Sequence, residues 1–221
     1  MSSEICICCR HGKFIQATLR LPDDPVGLVI FAYGSGSSRI SPRNRYVAEV
    51  LHEASLATLL IDLLTEEEEE DHSSSRQHRF DIPLLADRLE DACTWADCQP
   101  QLAALPLGFF GSSTGSAVAV QVAAQQADRI AAVVSRGGRP DLAGDESLAE
   151  VMSPTLLIVG EKDEGGTRLN EQARAEMRCE TELRIIPGAS HLFSEPGALE
   201  LVAEAASQWF VEHMESVPAL A

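Results

Sequence analysis

The sequence predicts an α/β fold in which helices cover both faces of a mostly parallel β-sheet. Two observations lead to this prediction. Short, almost continuously apolar segments recur along the chain, and segments with the helical spacing of apolar residues lie between them. Strands that are buried on both faces have such a composition, and parallel strands need a crossover, usually a helix, between them. At 221 residues the chain is long enough for one domain and short for two, so we expect a single domain over residues 1–221.

Six apolar segments have the length of buried strands. They are rich in aliphatic and aromatic residues, and turn residues or helical segments follow them. The predicted strands are Gly27–Tyr33, Ala57–Leu63, Leu105–Phe110, Ile130–Ser135, Thr155–Val159 and Leu183–Ile186. In the first twenty residues, two alternating segments flank His11-Gly12, which predicts an antiparallel hairpin at one edge of the sheet.

The helices are predicted from their starts and from their apolar faces. Ser41-Pro42 and Asp81-Ile82-Pro83 are typical of helix N-termini, because proline is tolerated in the first turn. The segment from Ser116 to Gln126 is rich in alanine and valine, as expected for a helix packed closely on a sheet. The last helix presents one apolar stripe, formed by Leu199, Val202, Ala206 and Phe210.

Charge and hydropathy exclude several classes of partner. The formal net charge of −17 repels phosphate backbones and anionic lipid, so neither nucleic acid nor a membrane is expected as a partner. The longest apolar runs have about ten residues, whereas a membrane-spanning helix needs roughly 20. The N-terminus MSSEICICCRHGK has no basic start followed by an apolar core, and a cytoplasmic location is therefore expected. The acidic run from Glu66 to Asp71 is interpreted as a solvated loop, with a metal or partner site as the alternative.

The cysteines do not form a convincing metal motif. Cys6, Cys8 and Cys9 lie near His11, but no second ligand pair with zinc-finger spacing follows them. The alternation in Ile5-Cys6-Ile7-Cys8 favours packing of a strand instead. We expect free thiols, no metal and no cofactor.

One motif carries chemistry. Gly111-Ser112-Ser113-Thr114-Gly115 is the single match to G-x-S-x-G in the chain, and it joins a predicted strand to a predicted helix. In hydrolases this motif forms a sharp turn that exposes the serine at the C-terminal edge of the sheet, and residues two before and two after it must be small. Ser113 is therefore the candidate nucleophile. The alternative is a tight glycine turn without chemistry.

A serine nucleophile needs a base and a carboxylate that orients the base. His191 follows the last predicted strand, so it lies on a loop at the same sheet edge, and it is the candidate general base. Asp163 follows the strand Thr155–Val159 and is the candidate carboxylate, which gives the chain order Ser, Asp, His found in such folds. The alternative carboxylates are first Asp141, then Asp62, Glu161 and Glu164.

An oxyanion hole needs two preorganised N–H donors. The backbone N–H of Thr114, directly after the nucleophile, is one candidate. The second is Ser35, in the loop after Gly27–Tyr33, because flanking glycines allow its backbone to approach a substrate. This loop lacks the third glycine and the lysine of nucleotide-binding loops, which argues against a phosphate cradle.

These segments together resemble the α/β-hydrolase superfamily, in its dienelactone-hydrolase-like branch. The resemblance covers nearly everything after the hairpin and is carried by AYGSGSSRISPRNRYVAEVL, ATLLIDLLTEEEEED, RFDIPLLADRL, GFFGSSTG, VVSRGGRPDLA, IVGEKD and GASHLF. It implies an eight-stranded sheet with one antiparallel edge strand and a triad of Ser113, Asp163 and His191. Two positions depart from the pattern. Dienelactone hydrolases proper have a cysteine nucleophile where this chain has Ser113, and many relatives have His-Gly where it has Tyr33-Gly34.

The resemblance also bears on size and substrate. Members of this branch are sometimes joined to a phosphoribosyltransferase-like domain, for which 221 residues leave no room. Between Ser135 and Ser153, where larger relatives have a helical cap, only a loop and short helices fit, so we expect an open site without a large cap. Candidate substrate-binding residues are Tyr33, Arg39 and Arg136, together with Arg43, Arg45 and Arg139. These arginines either bind a substrate carboxylate or pair with local acids.

The expected function is hydrolysis of a small carboxylic ester, thioester or lactone through an acyl-Ser113 intermediate. A small molecule is then the partner, and a homodimer is compatible with the sequence. The main alternative is a protein that binds a small molecule on the hydrolase fold with slow or no turnover. A nucleotide-binding doubly wound domain is the third reading, and it lacks the glycine fingerprint.

Overall fold

Eight strands form one sheet in the computed structural model, which describes residues 2–34, 37–70, 78 and 80–214. The strands are β1 (Ser2–Cys8), β2 (Phe14–Arg20), β3 (Gly27–Tyr33), β4 (Leu56–Ile61), β5 (Leu107–Ser112), β6 (Ile130–Arg136), β7 (Thr155–Gly160) and β8 (Thr181–Ile186). Their order across the sheet is β1-β2-β4-β3-β5-β6-β7-β8.

The direction of the strands confirms the predicted fold class. Strands β3 to β8 are parallel to one another. β1 pairs antiparallel with β2 through a short turn at Arg10–Gly12, and β2 pairs antiparallel with β4. The N-terminal hairpin therefore closes one edge of the sheet. All C-terminal ends of the parallel strands meet at one edge, where sites of open α/β sheets are found.

Helices cover both faces of the sheet and bury two apolar clusters. The helices are α1 (Pro42–Glu53), α2 (Glu66–Glu70), α3 (Ile82–Asp97), α4 (Thr114–Gln125), α5 (Gly144–Glu150), α6 (Glu164–Glu176) and α7 (Ala198–Met214). One face is packed against α1 and α7, and the other against α3, α4, α5 and α6. None of the helices in the described ranges is both long and apolar enough to cross a membrane.

The predicted helix starts follow from local chemistry. α1 begins with Pro42 after Ser41, as the sequence predicts. α3 is capped by Asp81, whose carboxylate accepts a hydrogen bond from the Leu84 N–H at 3.1 Å. Such caps satisfy N–H groups that have no partner within the helix.

The acidic run is a helix over Glu66–Glu70, so its interpretation as a loop is wrong there. The reason is a capping box: Glu68 N–H donates to Thr65 Oγ1 at 3.2 Å, and Thr65 N–H donates to Glu68 Oε2 at 2.8 Å. Glu68 also pairs with the buried Arg88 at 3.1 Å, which attaches the helix to α3. Asp71, at the end of the run, lies outside the described residues.

Strand boundaries differ from the prediction by up to two residues. β3 has the predicted bounds, whereas β5 starts at Leu107 instead of Leu105. Leu105 belongs to a turn, in which its N–H donates to the carbonyl of Leu102 at 3.0 Å. A run of apolar residues does not distinguish this turn from the strand after it.

Little chain covers the C-terminal edge between β6 and β7. This connection holds a single 3₁₀ turn, Pro140–Ala143, and the short helix α5. The prediction of a fold without a large cap is therefore confirmed.

The cysteine-rich start of the chain packs as a strand. Ile7 is fully buried, while Cys6 and Cys8 are exposed on the opposite face of β1, in agreement with the alternation in the sequence. All six cysteines are free thiols. Within the described ranges, His, Cys, Asp and Glu side chains form no group of three arranged to hold a metal ion.

Candidate active site

Ser113 occupies the sharp turn between β5 and α4. Its φ of 52° and ψ of −125° lie in a region that residues with a side chain rarely adopt. The flanking glycines are required by space. A Cβ at Gly115 would overlap the carbonyl oxygen of Ala32, and one at Gly111 would lie 2.6 Å from the Cα of Ser116. The turn therefore has the geometry that the G-x-S-x-G motif predicts.

Backbone hydrogen bonds hold this turn against the end of β6. Ser113 N–H donates to the carbonyl of Arg136 at 3.4 Å, and the Arg139 N–H donates to the carbonyl of Ser113 at 3.0 Å. Within the described residues, the hydrogen bonds of Ser113 are made by its backbone, so its hydroxyl is not engaged in holding the turn.

His191 and Asp163 are brought together from two loops. Nδ1 of His191 lies 2.6 Å from Oδ2 of Asp163. A carboxylate only accepts, so Nδ1 carries the proton, and in the neutral form of the imidazole Nε2 has the lone pair. Oδ1 of Asp163 caps α6 by accepting from the Gly166 N–H at 3.0 Å. The same carboxylate therefore fixes both the helix start and the imidazole.

The His191 loop lies against the end of β6 as well. A Cβ at Gly137 would lie 3.0 Å from the carbonyl oxygen of His191 and 3.7 Å from its Cε1. Gly137 directly follows Arg136, whose carbonyl accepts the N–H of Ser113. The loop also has an internal hydrogen bond, in which the Ser190 N–H donates to Glu195 Oε2 at 3.0 Å. The Ser113 turn and the His191 loop therefore both contact the end of β6.

Gly34, the first residue after β3, lies against the Ser113 turn. A Cβ at Gly34 would lie 2.8 Å from the Thr114 N atom and 3.1 Å from Ser113 Oγ. Thr114 is the first residue of α4, where backbone N–H groups have no partner within the helix. Ser35, the other candidate oxyanion donor, lies outside the described residues. The described part of this loop shows close backbone approach at Gly34.

The alternative carboxylates have other contacts. Asp141 accepts from the guanidinium of Arg139 at 2.8 Å. Asp62 accepts from the backbone N–H of Arg39 at 2.8 Å. Glu161 Oε2 accepts from the Gly188 N–H at 2.7 Å, and Glu164 is the first residue of α6.

A cavity of about 700 Å³ opens beside Gly34. Tyr33 lies in its wall, and the buried Tyr33 hydroxyl has no hydrogen-bond partner among the described residues. Burial raises the pKa of Tyr33 well above its usual range, and it also raises the pKa of Asp62. Arg39, also in the wall, pairs with Glu4 at 3.3 Å and Asp62 at 3.6 Å.

The acidic helix α2 contributes to this cavity, which the sequence interpretation missed. Glu66, Glu67 and Glu69 line it together with Leu85 of α3. The capping pattern Thr65-x-x-Glu68 is the signal in the sequence that predicts this helix. Its position at the sheet edge then follows from β4, which ends just before it.

Arg136, the last candidate, is a buried cation. It ends β6 and is 9% exposed, and its Nε and Nη1 have no hydrogen-bond partner among the described residues. Burial, with a smaller contribution from Arg43, lowers the pKa of Arg136 to about 10.

Known proteins place this architecture in a family. The family described as alpha/beta hydrolase domain matches residues 25–217. Two Mycobacterium tuberculosis proteins named "Putative phosphoribosyl transferase" are 55% identical over 200 residues, which are 90% of this chain. The matched region is 44% of each of those proteins, so the chain spans less than half the length of the curated relatives it matches.

Solved structures show the same fold over nearly the whole chain. The crystal structure of a dienelactone hydrolase from Anabaena variabilis is 50% identical, with a TM-score of 0.93, over 96% of this chain and 98% of that one. Est1E from Butyrivibrio proteoclasticus, solved with ferulic acid, is 18% identical with a TM-score of 0.81, over 95% and 99% of the two chains. The second likeness bears on the fold alone. By the extent of the family match and by the Anabaena structure, this chain belongs to the α/β-hydrolase family and has a dienelactone-hydrolase-like fold.

Proposed function

We propose that the protein is a serine hydrolase that cleaves a small carboxylic ester, thioester or lactone through an acyl-Ser113 intermediate. The observation that carries the proposal is the 2.6 Å hydrogen bond between Asp163 and His191 at the sheet edge where Ser113 occupies its strained turn. A fixed imidazole with a free Nε2, at the same sheet edge as an otherwise unengaged serine hydroxyl, provides the groups that nucleophilic catalysis needs.

In the proposed reaction, Nε2 of His191 removes the proton of Ser113 Oγ as that oxygen attacks the substrate carbonyl carbon. The tetrahedral intermediate collapses, and the protonated imidazole gives its proton to the leaving alcohol or thiol. Water then attacks the acyl-enzyme with His191 again as base, which releases the acid and restores Ser113. No cofactor takes part in these steps.

The negative oxygen of the intermediate needs donors that are in place before the reaction. The Thr114 N–H is one proposed donor, because it is unsatisfied by α4 and lies next to the nucleophile. We assign the second to the loop after β3, with Ser35 as the residue. The close approach of Gly34 to the Thr114 N atom supports this assignment.

The site suits a small substrate. A cavity of about 700 Å³, within the usual range for small-molecule sites, has Gly34 in its wall, and Gly34 also lies against the Ser113 turn, although Ser113, Asp163 and His191 do not line the cavity. Only one short helix and a 3₁₀ turn lie between β6 and β7. Arg39 already has two carboxylate partners, so we do not assign it to substrate binding. The printed name of the longer M. tuberculosis relatives is not carried over to this chain, because the chain matches less than half of each.

The test is hydrolysis of a panel of acyl esters, thioesters and lactones by the wild-type protein and by Ser113→Ala. We expect the substitution to reduce kcat/KM by several orders of magnitude while the circular dichroism spectrum stays unchanged. Undiminished turnover by Ser113→Ala would refute the proposal. A fluorophosphonate probe distinguishes the alternative of a binding protein, since such a protein would not be labelled at Ser113.

A further inference from the structure

Asn44 is a buried polar side chain outside the groups that carry out the proposed reaction. It lies in the first turn of α1 and is 1% exposed. Its Nδ2 donates to Ser37 Oγ at 3.0 Å and to the carbonyl oxygen of Ser38 at 3.1 Å. Both acceptors belong to the loop after β3. The side chain of Asn44 therefore holds this loop on α1.

The other polar atom of the Asn44 amide has no partner. Within the described residues, its buried Oδ1 accepts no hydrogen bond. A buried acceptor without a partner destabilises a protein, and an apolar side chain of similar size, such as leucine, avoids that cost. Filling of space therefore does not explain an amide at this position, whereas the two hydrogen bonds from Nδ2 to the loop do.

α1 is a firm support for Asn44. Val47 and Leu51, one and two turns further along the helix, are fully buried in the apolar cluster between the sheet, α1 and α7. Leu56 and Leu60 of β4 belong to the same cluster. A side chain on a packed helix fixes its partners more precisely than a side chain on a loop does.

A short series of contacts leads from Asn44 to the nucleophile. The Ser37 N–H donates to the carbonyl of Gly34 at 3.3 Å, so the residue that Asn44 holds is itself bonded to Gly34. Gly34 in turn lies against the Ser113 turn, where a Cβ on it would lie 2.8 Å from the Thr114 N atom. These contacts connect α1 with the proposed nucleophile and with one proposed oxyanion donor.

Other hydrogen bonds hold the later part of the loop. The Arg39 N–H donates to Asp62 Oδ1 at 2.8 Å, and the Ser41 N–H donates to the carbonyl of Ser38 at 3.0 Å. Neither bond involves the side chain of Asn44. Loss of that side chain therefore releases the part of the loop next to Gly34, while the part that enters α1 stays in place.

We propose that Asn44 is a positioning residue, which holds Ser37 and Ser38 on α1 and thereby fixes Gly34 and the adjoining loop against the Ser113 turn. The inference rests on the proposed function, in which this loop supplies the second oxyanion donor. Such donors are effective because they are in place before the reaction, and a displacement of about 1 Å can cost about 100-fold in rate. Asn44 acts through the loop and is assigned no contact with the substrate.

Three variants test this role. Asn44→Leu removes both hydrogen bonds to the loop and nearly keeps the size of the side chain. Ser37→Ala removes one acceptor and leaves the bond to Ser38. The control is Thr155→Val, which also makes a fully buried polar side chain apolar. It removes the bond from Thr155 Oγ1 to the Ser153 carbonyl, at the start of β7 and thus at the opposite edge of the sheet.

Hydrolysis of 4-nitrophenyl acetate, measured against pH, reports on the reaction. We expect Asn44→Leu to lower kcat and kcat/KM together by about 10- to 100-fold with KM unchanged, because an oxyanion donor acts in the transition state. The pH at half-maximal kcat/KM should not move, since Asp163 and His191 keep their hydrogen bond. Thr155→Val should match the wild type.

A double variant shows whether the two residues act through the same bond. Ser37→Ala should lower kcat less than Asn44→Leu does, because the bond from Asn44 to Ser38 remains. Asn44→Leu combined with Ser37→Ala should have the kcat of Asn44→Leu alone. Independent, multiplying losses would contradict a shared path through Ser37.

Amide hydrogen exchange tests the loop without any assay of activity. In the peptide that spans residues 34–41, amides of Asn44→Leu should exchange about 5- to 10-fold faster than those of the wild type, the factor that corresponds to one lost hydrogen bond. The same peptide of Thr155→Val should exchange at the wild-type rate.

Three outcomes would overturn the proposal. They are unchanged exchange in Asn44→Leu, faster exchange with an undiminished kcat, and a raised KM in place of a lowered kcat. If Asn44→Leu does not fold, Ser37→Ala decides, because Ser37 is only half-buried and unchanged kcat and exchange in that variant refute the role.

Failure of the proposed function has a different signature. A wild type that hydrolyses no ester and is not labelled at Ser113 by a fluorophosphonate refutes that function, and with it the contribution of Asn44 to catalysis. Faster exchange in Asn44→Leu then still shows that Asn44 holds the loop.

Discussion

Replacement of Ser113 by glycine should stabilise the protein relative to replacement by alanine. Ser113 has a φ of 52° and a ψ of −125°, and a residue with a Cβ in such a region carries strain of about 1–3 kcal/mol. Alanine keeps the Cβ and therefore the strain. Glycine removes it, at an entropic cost of about 0.4–1 kcal/mol because the unfolded chain gains freedom.

The expected net difference is about 1–2 kcal/mol in favour of Ser113→Gly over Ser113→Ala. For a chain of this length, that difference corresponds to about 2–8 °C in Tm. Both variants lack the hydroxyl, so the comparison isolates the backbone from the chemistry. Differential scanning calorimetry of the two variants at one protein concentration and one pH measures it.

Equal melting temperatures for the two variants, or a lower one for Ser113→Gly, would refute the reasoning. The turn would then be unstrained, and its sharp geometry would not be imposed by the surrounding sheet. The hydrogen bonds to Arg136 and Arg139 are made by backbone atoms and are retained in both variants.

Three further experiments, on Asp163, on Glu68 and on the cysteines, test other parts of the molecule. Asp163→Asn should lower kcat/KM by about 10³–10⁴-fold because the imidazole loses its carboxylate, while the amide oxygen still caps α6. Asp163→Ala loses the cap as well and should therefore lower the free energy of unfolding by about 1 kcal/mol more, measured by urea unfolding. Glu68→Ala leaves Arg88 buried without its partner and should cost about 3–5 kcal/mol, measured as a lower urea midpoint; a loss below 1 kcal/mol would show that the pair is not important for stability. Iodoacetamide at pH 8 should label the exposed Cys98 fast and the fully buried Cys93 slowly, because burial blocks access and raises the pKa of Cys93 to about 12; mass spectrometry showing equal rates would contradict the buried position.

Much of the fold could be predicted because the parallel strands are nearly uniform in character. β3 is apolar at every position except its first and last residues and is followed by Gly34, so its C-terminal end follows directly from the sequence. The predicted start of β5 was less accurate, because Leu105 belongs to the apolar run in the sequence while its backbone closes a turn. The helix in the acidic run depends on two side-chain contacts, from Thr65 and Glu68, rather than on apolar periodicity.

The candidate site could be predicted from the sequence where the sheet topology alone determines which residues lie near each other. In a parallel sheet, residues that follow strands reach the same edge, so the proximity of Asp163 and His191 could be expected from their places after β7 and β8. The isolation of Arg136 could not be predicted. It depends on which sheet face its side chain joins and on the lack of a hydrogen-bond partner for its Nε and Nη1 among the described residues, and neither is encoded in local sequence.

The acyl-enzyme is the species on which the proposed chemistry depends, and rapid-quench mass spectrometry can detect it. The protein is mixed with excess 4-nitrophenyl acetate, quenched with acid at short times, and digested to locate the added acetyl group. We predict one acetyl group per chain, attached to Ser113, formed in a burst and absent from Ser113→Ala. Hydrolysis that proceeds at full rate with no acetylated Ser113, or with the acetyl group on another residue, would contradict the assignment of Ser113 as the nucleophile.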